Sequence, residues 1–119
     1  MTAKHWLLLL AYPLAVSVGQ VMFKAAALRL PAGEVSARAV LSPWLIAAYS
    51  LWVLLSLMWL FIIREVPLNR AYPFVALSFV VTPLLAWMVF DERLDLRYGF
   101  GIALIVAGVI LTQRATLDG

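Results

Sequence analysis

The chain of 119 residues contains no cysteine, and this absence excludes several classes of site. Without a thiol there is no disulfide framework, no thiolate metal site and no cysteine nucleophile. A single histidine, His5, also excludes a histidine-based metal cluster within one chain. We therefore expect no metal and no cofactor.

Charge is also scarce. Asp, Glu, Lys and Arg make up 13% of the chain, whereas 66% is hydrophobic. Soluble domains carry about 25% charged and about 45–50% apolar residues. The composition therefore excludes an ordinary soluble enzyme and a disordered chain. The nine Lys and Arg residues are scattered and form no basic stripe for nucleic acid. An integral membrane protein remains.

Four charge-free runs have about the length needed to cross a bilayer. They cover residues 6–23, 43–63, 71–90 and 98–113. A hydrocarbon core of about 30 Å needs about 20 apolar helical residues. The fourth run is the shortest, but the side chains at its ends can extend their charges to the interfaces. We predict a single all-α membrane domain over residues 1–119, with four transmembrane helices and short loops.

The basic residues do not predict an orientation. Lys4, Arg64, Arg70 and Arg114 fall on one side of the predicted bundle. Lys24, Arg29, Arg38, Arg93 and Arg97 fall on the other. The positive-inside rule needs an excess on one side, so single and dual topology both stay open.

No Asp or Glu lies inside the four runs. A proton-driven exporter of cations usually needs a buried carboxylate that binds either the proton or the cation. Glu65 and Glu92 lie at helix ends, and they are the candidates for such coupling if they reach into a cavity. The alternative for both is a solvated charge at the interface.

Polar residues share one face of the first helix. Ser17, Gln20 and Lys24 are three and four residues apart, as is typical of one helical face. One interpretation is hydrogen bonding to a neighbouring helix, with Lys24 as an interfacial anchor. The other is a polar lining to a substrate path, with Lys24 as the ligand of an anionic head group.

The third helix offers both ligands and a bend. Arg70 and Tyr72 at its start are candidate contacts for a phosphate or head group, and Arg64 is a second cation at that end. Pro83 lies in the helix interior, where it removes a hydrogen bond and clashes with the carbonyl of Phe79. The bend is interpreted either as a hinge for alternating access or as a static kink.

Trp52 is the mid-membrane member of a tryptophan face on the second helix, with Trp44 and Trp59. It is a candidate substrate contact, and the alternative is a packing or lipid-facing tryptophan. On the fourth helix Ala103 and Ala107 form a small-residue row with Gly99. Gly101 and Gly108 lie on a neighbouring face. Small residues allow close helix approach, so we predict a dimer through this helix.

The chain also resembles a known superfamily. Val-Pro-Leu-Asn-Arg-Ala-Tyr-Pro at 66–73, Leu-Ser-Phe-Val at 77–80, Asp-Glu-Arg-Leu at 91–94 and the segment 101–109 resemble drug/metabolite transporters. Within that superfamily, a four-helix chain of this size resembles either the small multidrug resistance exporters or the small EamA-like proteins. The latter include paired subunits thought to flip aminoarabinose-phospho-undecaprenol. Both groups work as dimers.

The two branches differ at the first helix. The multidrug exporters carry a glutamate where this chain has Val16, and an aromatic residue where it has Val75. The flippase subunits resemble this chain at 19–20, Lys24, 66–67 and 71–73. Those positions supply no coupling acid, and the chain has cations near both interfaces. This implies an anionic lipid-linked substrate, because phosphate prefers Arg and Lys donors.

We therefore expect a dimeric, non-enzymatic transporter of the bacterial inner membrane that flips a polyprenyl-phosphate-linked sugar. It would pair with an identical chain or a related four-helix chain. The expected phosphate ligands are Lys24, Arg64 and Arg70, and the expected path-lining residues are Ser17, Gln20 and Tyr72. Two alternatives stay open. One is a proton-coupled exporter of small drugs or metabolites, and the other is a non-transporting membrane subunit of a lipid-modifying complex.

Overall fold

The structure is a computed structural model that describes residues 2–30 and 37–118. Its helices are α1 (Ala3–Leu28), α2 (Ala37–Val40), α3 (Pro43–Glu65), α4 (Leu68–Val75), α5 (Ser78–Phe90) and α6 (Leu96–Asp118). No strand occurs in these two ranges. Pro31, Gly33 and Glu34 of the first connection lie outside the described residues.

Four stretches are long and apolar enough to cross a membrane. They are Ala3–Leu28, Pro43–Glu65, Leu68–Phe90 and Leu96–Ala115. The third of these spans is α4 and α5 taken together. The prediction of an all-α membrane protein with four transmembrane helices is confirmed.

Local chemistry sets where α3 begins and ends. Ser42 caps its start, because the Ser42 hydroxyl accepts a hydrogen bond from the Leu45 N–H at 3.4 Å. Pro43 follows in the first turn, where its missing N–H costs nothing. At the other end Val66 is extended, with φ −114° and ψ 132°. The next residue, Pro67, disfavours a helical conformation at Val66 and so stops the helix.

The third span starts earlier than the sequence predicts and is broken. It begins at Leu68, so Pro73 lies inside α4 rather than in a first turn. Ala76 and Leu77 separate α4 from α5. Backbone bonds there run over three residues, including Ala76 N–H to the Pro73 carbonyl at 3.1 Å. Pro83 lies within α5, about a turn and a half beyond the break. A hinge at Pro83 stays a prediction.

The helices pack around α1, and of the four spans the last one, in α6, packs least against the others. The best-buried cluster joins α1, α3 and α4; it consists of Leu9, Ile62, Val66, Ala71 and Phe74. Near its end α6 is tied to α4, because the Gln113 side-chain amide donates to the Arg70 carbonyl at 2.9 Å. Residues 96–101 of α6 are exposed. The start of α6 therefore leaves the neighbouring side of α5 open.

Candidate functional site: a membrane-spanning groove

A cavity of about 510 Å³ lies between α1, α4, α5 and the start of α6. The residues that define it best are Val16, Gln20, Tyr72, Phe79, Thr82 and Tyr98. Two smaller cavities adjoin it. One, of about 200 Å³, shares Gln20 and Thr82 and reaches Lys24 and Glu92. The other, of about 210 Å³, shares Thr82 and Tyr98 and also reaches Glu92. We call the three together the groove.

One face of α1 forms a wall of the groove. Val16, Gln20 and Lys24 follow each other at four-residue spacing, so they lie in one row along the helix. The Gln20 side chain is exposed. The predicted path residue Gln20 and the predicted phosphate ligand Lys24 therefore lie in the same groove, Gln20 within the span and Lys24 one turn before the helix ends.

Ser17 lies beneath this row rather than in it. It is fully buried, and its hydroxyl donates to the Pro13 carbonyl at 2.9 Å. The Thr82 hydroxyl in turn donates to the Ser17 oxygen at 2.9 Å. This chain of hydrogen bonds joins α1 to α5, so the geometry favours the helix-pairing interpretation of Ser17.

Thr82 is the groove residue that the sequence reasoning missed. It lines all three cavities and carries the hydroxyl that bonds Ser17. A signal was present, since Thr82 is a polar residue directly before a proline in an otherwise apolar run. Its importance depends on its pairing with α1, which the sequence does not reveal.

A pair of opposite charges closes one end of the groove, which we call the mouth. Lys24 Nζ lies 3.5 Å from Glu92 Oε1, and both side chains are about half exposed, at 49% and 50%. Both residues line the same small cavity. Glu92 follows the end of α5. The mouth therefore lies at the end of the spans, and its charges are in contact with solvent.

The other end of the groove is aromatic. Tyr72 is exposed and packs edge-on against Trp59, with ring centroids 6.2 Å apart. Trp59 in turn packs on Tyr12 at 5.0 Å. The predicted path residue Tyr72 therefore lies in the groove, at the end opposite Lys24.

Arg70 and Arg64 lie outside the groove lining. The Arg70 guanidinium lies 5.8 Å from the centre of the Trp6 ring, in cation–π range. Its buried Nε atom has no hydrogen-bond partner. Arg64 is exposed in the last turn of α3. The structure does not bring these two arginines together with Lys24.

Trp52 faces away from the groove, between α1 and α3. Its ring atoms lie 3.1–3.2 Å from where a Cβ on Gly19 would be. It stacks on Phe23 with ring centroids 5.4 Å apart and planes 12° apart. The indole N–H is buried without a hydrogen-bond partner. The geometry favours the packing interpretation of Trp52 over substrate contact.

Glu65 lies at the end of α3, away from the mouth. Its Oε2 is 2.6 Å from His5 Nε2. The His5 ring also accepts from the Thr2 N–H at 3.1 Å, as part of the cap of α1. Glu65 therefore links the start of α1 to the end of α3. The two candidate coupling acids lie at opposite ends of the spans, and only Glu92 lines the groove.

Comparison with known proteins gives close relatives of nearly the same length. A relative from Pseudomonas fluorescens (strain Pf0-1) is 40% identical over 108 residues, which cover 89% of this chain and 93% of the relative. One from Pectobacterium atrosepticum is 39% identical over 111 residues, 91% of this chain and 96% of the relative. One from Pseudomonas aeruginosa (strain UCBPP-PA14) is 41% identical over 110 residues, with the same coverage.

Each of these three relatives is named "Probable 4-amino-4-deoxy-L-arabinose-phosphoundecaprenol flippase subunit ArnE". No family model and no solved structure matches the chain. The four spans and these relatives place the chain in the bacterial inner membrane as a multi-pass transporter component. With about 40% identity across nearly the full length of both sequences, the chain belongs to the ArnE family of flippase subunits.

Proposed function

We propose that this chain moves an anionic lipid-linked sugar across the inner membrane along the groove. The names of its relatives support a phosphoundecaprenol-linked aminoarabinose as the substrate. The observation that carries the proposal is the groove itself, with polar Gln20 and Thr82 inside the span and cationic Lys24 at its mouth.

The groove has the chemistry that such a substrate needs. A sugar that leaves water must have its hydroxyl groups hydrogen-bonded, or crossing the hydrocarbon layer is costly. The amide of Gln20 and the hydroxyl of Thr82 are placed to supply such bonds. Lys24 is a charge-assisted donor for the phosphate. The polyprenyl tail stays in the bilayer, so only the head group has to fit in the groove.

No step of this process makes or breaks a covalent bond, so we expect the chain to act as a transporter and not as an enzyme. In our proposal Lys24 meets the phosphate at the mouth, and Tyr72 contacts the head group at the opposite end. Arg70 and Arg64 lie at the same end as Tyr72, outside the groove lining, and supply the positive charges of that end. The break at Ala76–Leu77, or the proline at Pro83, would supply the movement between the two ends.

We further propose that the working unit is a dimer in which α6 meets a second chain. The relatives are named as subunits, which supports a partner. A Cβ added at Gly101 or Gly108 would meet nothing within 4 Å, and Ala103 and Ala107 are exposed. These positions leave room for close approach of another helix. The partner is an identical or a related four-helix chain.

The chain has no native cysteine, so single cysteines at 101 and 108 give a clean crosslinking test of the dimer. With a cysteine at the matching position of the partner chain as well, we expect disulfide-linked dimers from both variants in membranes. Cysteine at exposed Leu57 on α3 is the control and should remain monomeric. Linkage at position 57 and none on α6 would contradict a dimer through α6.

Transport is tested in vesicles that contain the chain and its partner. A short-chain polyprenyl phosphate carrying aminoarabinose is loaded, and its amine is labelled with a membrane-impermeant reagent after selective removal from the outer leaflet. We expect amine to reappear outside faster than in protein-free vesicles. Lys24→Ala should slow this about tenfold, because one charge-assisted phosphate contact is lost.

Lys4→Ala is the matched control, since Lys4 lies outside the groove lining, at the start of α1. It should leave the rate unchanged. If the wild-type complex binds the lipid but moves none of it, the non-transporting subunit is the better description. If movement requires a proton gradient and stops in Glu92→Gln, the chain is a proton-coupled exporter. That alternative is favoured by one observation, the position of Glu92 in the groove.

A further inference from the structure

The mouth of the groove holds a positive and a negative side chain in contact with each other. The Lys24–Glu92 pair has a separation of 3.5 Å, and both side chains are about half exposed. An ion pair this exposed adds little to stability, because water screens it. Lys24 and Glu92 can therefore separate, and each can pair with a ligand group of opposite charge.

The backbone places Glu92 at this position. Asp91 adopts the left-handed conformation, with φ 55° and ψ 34°. The N–H of Glu92 then reaches back to the Ala86 carbonyl at 3.4 Å. This left-handed cap ends α5 and turns the chain back over its last turn. Glu92 thereby lines two of the groove's cavities, one with Lys24 and one with Arg93.

A ligand with phosphate alone does not suit this arrangement. When phosphate takes Lys24, the Glu92 carboxylate loses its partner and remains near a second anion. That juxtaposition is repulsive and disfavours binding. A head group that carries both a phosphate and an ammonium removes the conflict, because each protein charge then has a new partner of opposite sign.

We propose that Glu92 is a specificity residue that binds the amino group of a zwitterionic sugar phosphate while Lys24 binds its phosphate. The inference rests on the proposed function and deepens it. The internal ion pair is exchanged for two pairs with the head group, which leaves neither Lys24 nor Glu92 unpaired. A sugar phosphate with a hydroxyl in place of the amine breaks the ion pair, because its phosphate takes Lys24. It offers no cation to Glu92 in return.

Two probe lipids test this in the complete complex in nanodiscs. Both are short-chain polyprenyl phosphates, one carrying 4-amino-4-deoxyarabinose and the other carrying arabinose. Binding is followed by native mass spectrometry or by tryptophan fluorescence. We expect the wild type to bind the amino lipid about tenfold more tightly, as a charge-assisted contact predicts. In Glu92→Gln the ratio should fall to about one, because the amino lipid loses its partner carboxylate and the arabinose lipid is no longer repelled.

Asp95→Asn is the matched control. It removes the same charge from the same connection, and asparagine preserves the cap in which Asp95 Oδ1 accepts the Tyr98 N–H at 2.7 Å. Asp95→Asn should keep the wild-type ratio of the two affinities. Lys24→Ala should weaken the binding of both lipids. Undiminished affinity of Glu92→Gln for the arabinose lipid shows that the variant is folded.

The outcomes separate the two proposals. If Glu92→Gln keeps the wild-type ratio, or the wild type binds both lipids equally, the role of Glu92 is overturned and the proposed function stands. If the wild type binds neither lipid, both proposals fall.

Discussion

Adjacent residues of α1 belong to two faces of the helix, and the two faces have different roles. On the face toward α3, the Trp52 ring lies 3.1–3.2 Å from where a Cβ on Gly19 would be, and Phe23 stacks on that ring. On the face toward the groove, Gln20 and Lys24 are exposed. Neighbouring positions in a helix point about 100° apart, so one residue step separates packing from function.

The difference teaches where stability and transport are controlled. The α3 face is apolar and filled, so a change of volume there must move a helix. The groove face is open, so a change of polarity there alters what can enter without disturbing the bundle. Unfolding measurements and transport measurements on matched variants should therefore respond to different residues.

Gly19→Leu is expected to have the largest effect on stability. A Cβ at this position already meets Trp52 ring atoms at 3.1 Å, so the larger side chain must push α1 and α3 apart. Overpacking of this kind costs about 1–3 kcal/mol. The free energy of unfolding in SDS titration of the purified chain measures it. Gly99→Leu is the control, since a Cβ there meets nothing within 4 Å. Equal losses from both variants would contradict the tight α1–α3 contact.

The Ser17–Thr82 hydrogen bond should give a smaller, cooperative effect. Ser17→Ala and Thr82→Val each remove one partner of the 2.9 Å bond that joins α1 to α5. A double-mutant cycle on the unfolding free energy should show a coupling of about 0.6 kcal/mol, the usual value between membrane helices. Strictly additive losses would mean that the two hydroxyls do not interact.

Glu65→Gln tests the end of the bundle that lies outside the groove. It weakens the 2.6 Å contact with His5, which joins α1 to α3 at an exposed site. The expected loss of unfolding free energy is small, because water screens an ion pair at an exposed site. Flipping in vesicles should continue at the wild-type rate with or without a pH gradient. Loss of flipping would instead make Glu65 the coupling acid of a proton-driven exporter.

Gln20→Leu should have the smallest effect on stability. The Gln20 side chain is exposed in the groove, so leucine fits, and the unfolding free energy should stay within about 0.5 kcal/mol. Flipping should nevertheless slow several-fold, because the head group loses a hydrogen-bonding group inside the span. A variant that is stable and also transports at the wild-type rate would remove Gln20 from the path.

Part of the site could be predicted from the sequence because it depends on one helix. Gln20 and Lys24 share a row by helical geometry alone, and the absence of acids from the runs is visible directly. Ser17 and Trp52 show the limit of that reasoning. Ser17 on α1 and Trp52 on α3 occupy positions compatible with a path. Ser17 is instead buried and bonded to Thr82, and the Trp52 ring is stacked on Phe23.

The amino-acid sequence by itself determined the four spans, since about 20 apolar residues between charges have one stable arrangement in a bilayer. It also determined that α3 ends before Pro67, because proline disfavours a helical conformation in the residue that precedes it. Only the tertiary structure decided which polar residues meet. It placed Thr82 on Ser17, turned Arg70 toward Trp6, and set Glu92 against Lys24. The reason is physical: contacts within a helix follow from a fixed spacing, whereas contacts between helices depend on their rotation and separation, which all the side chains set together.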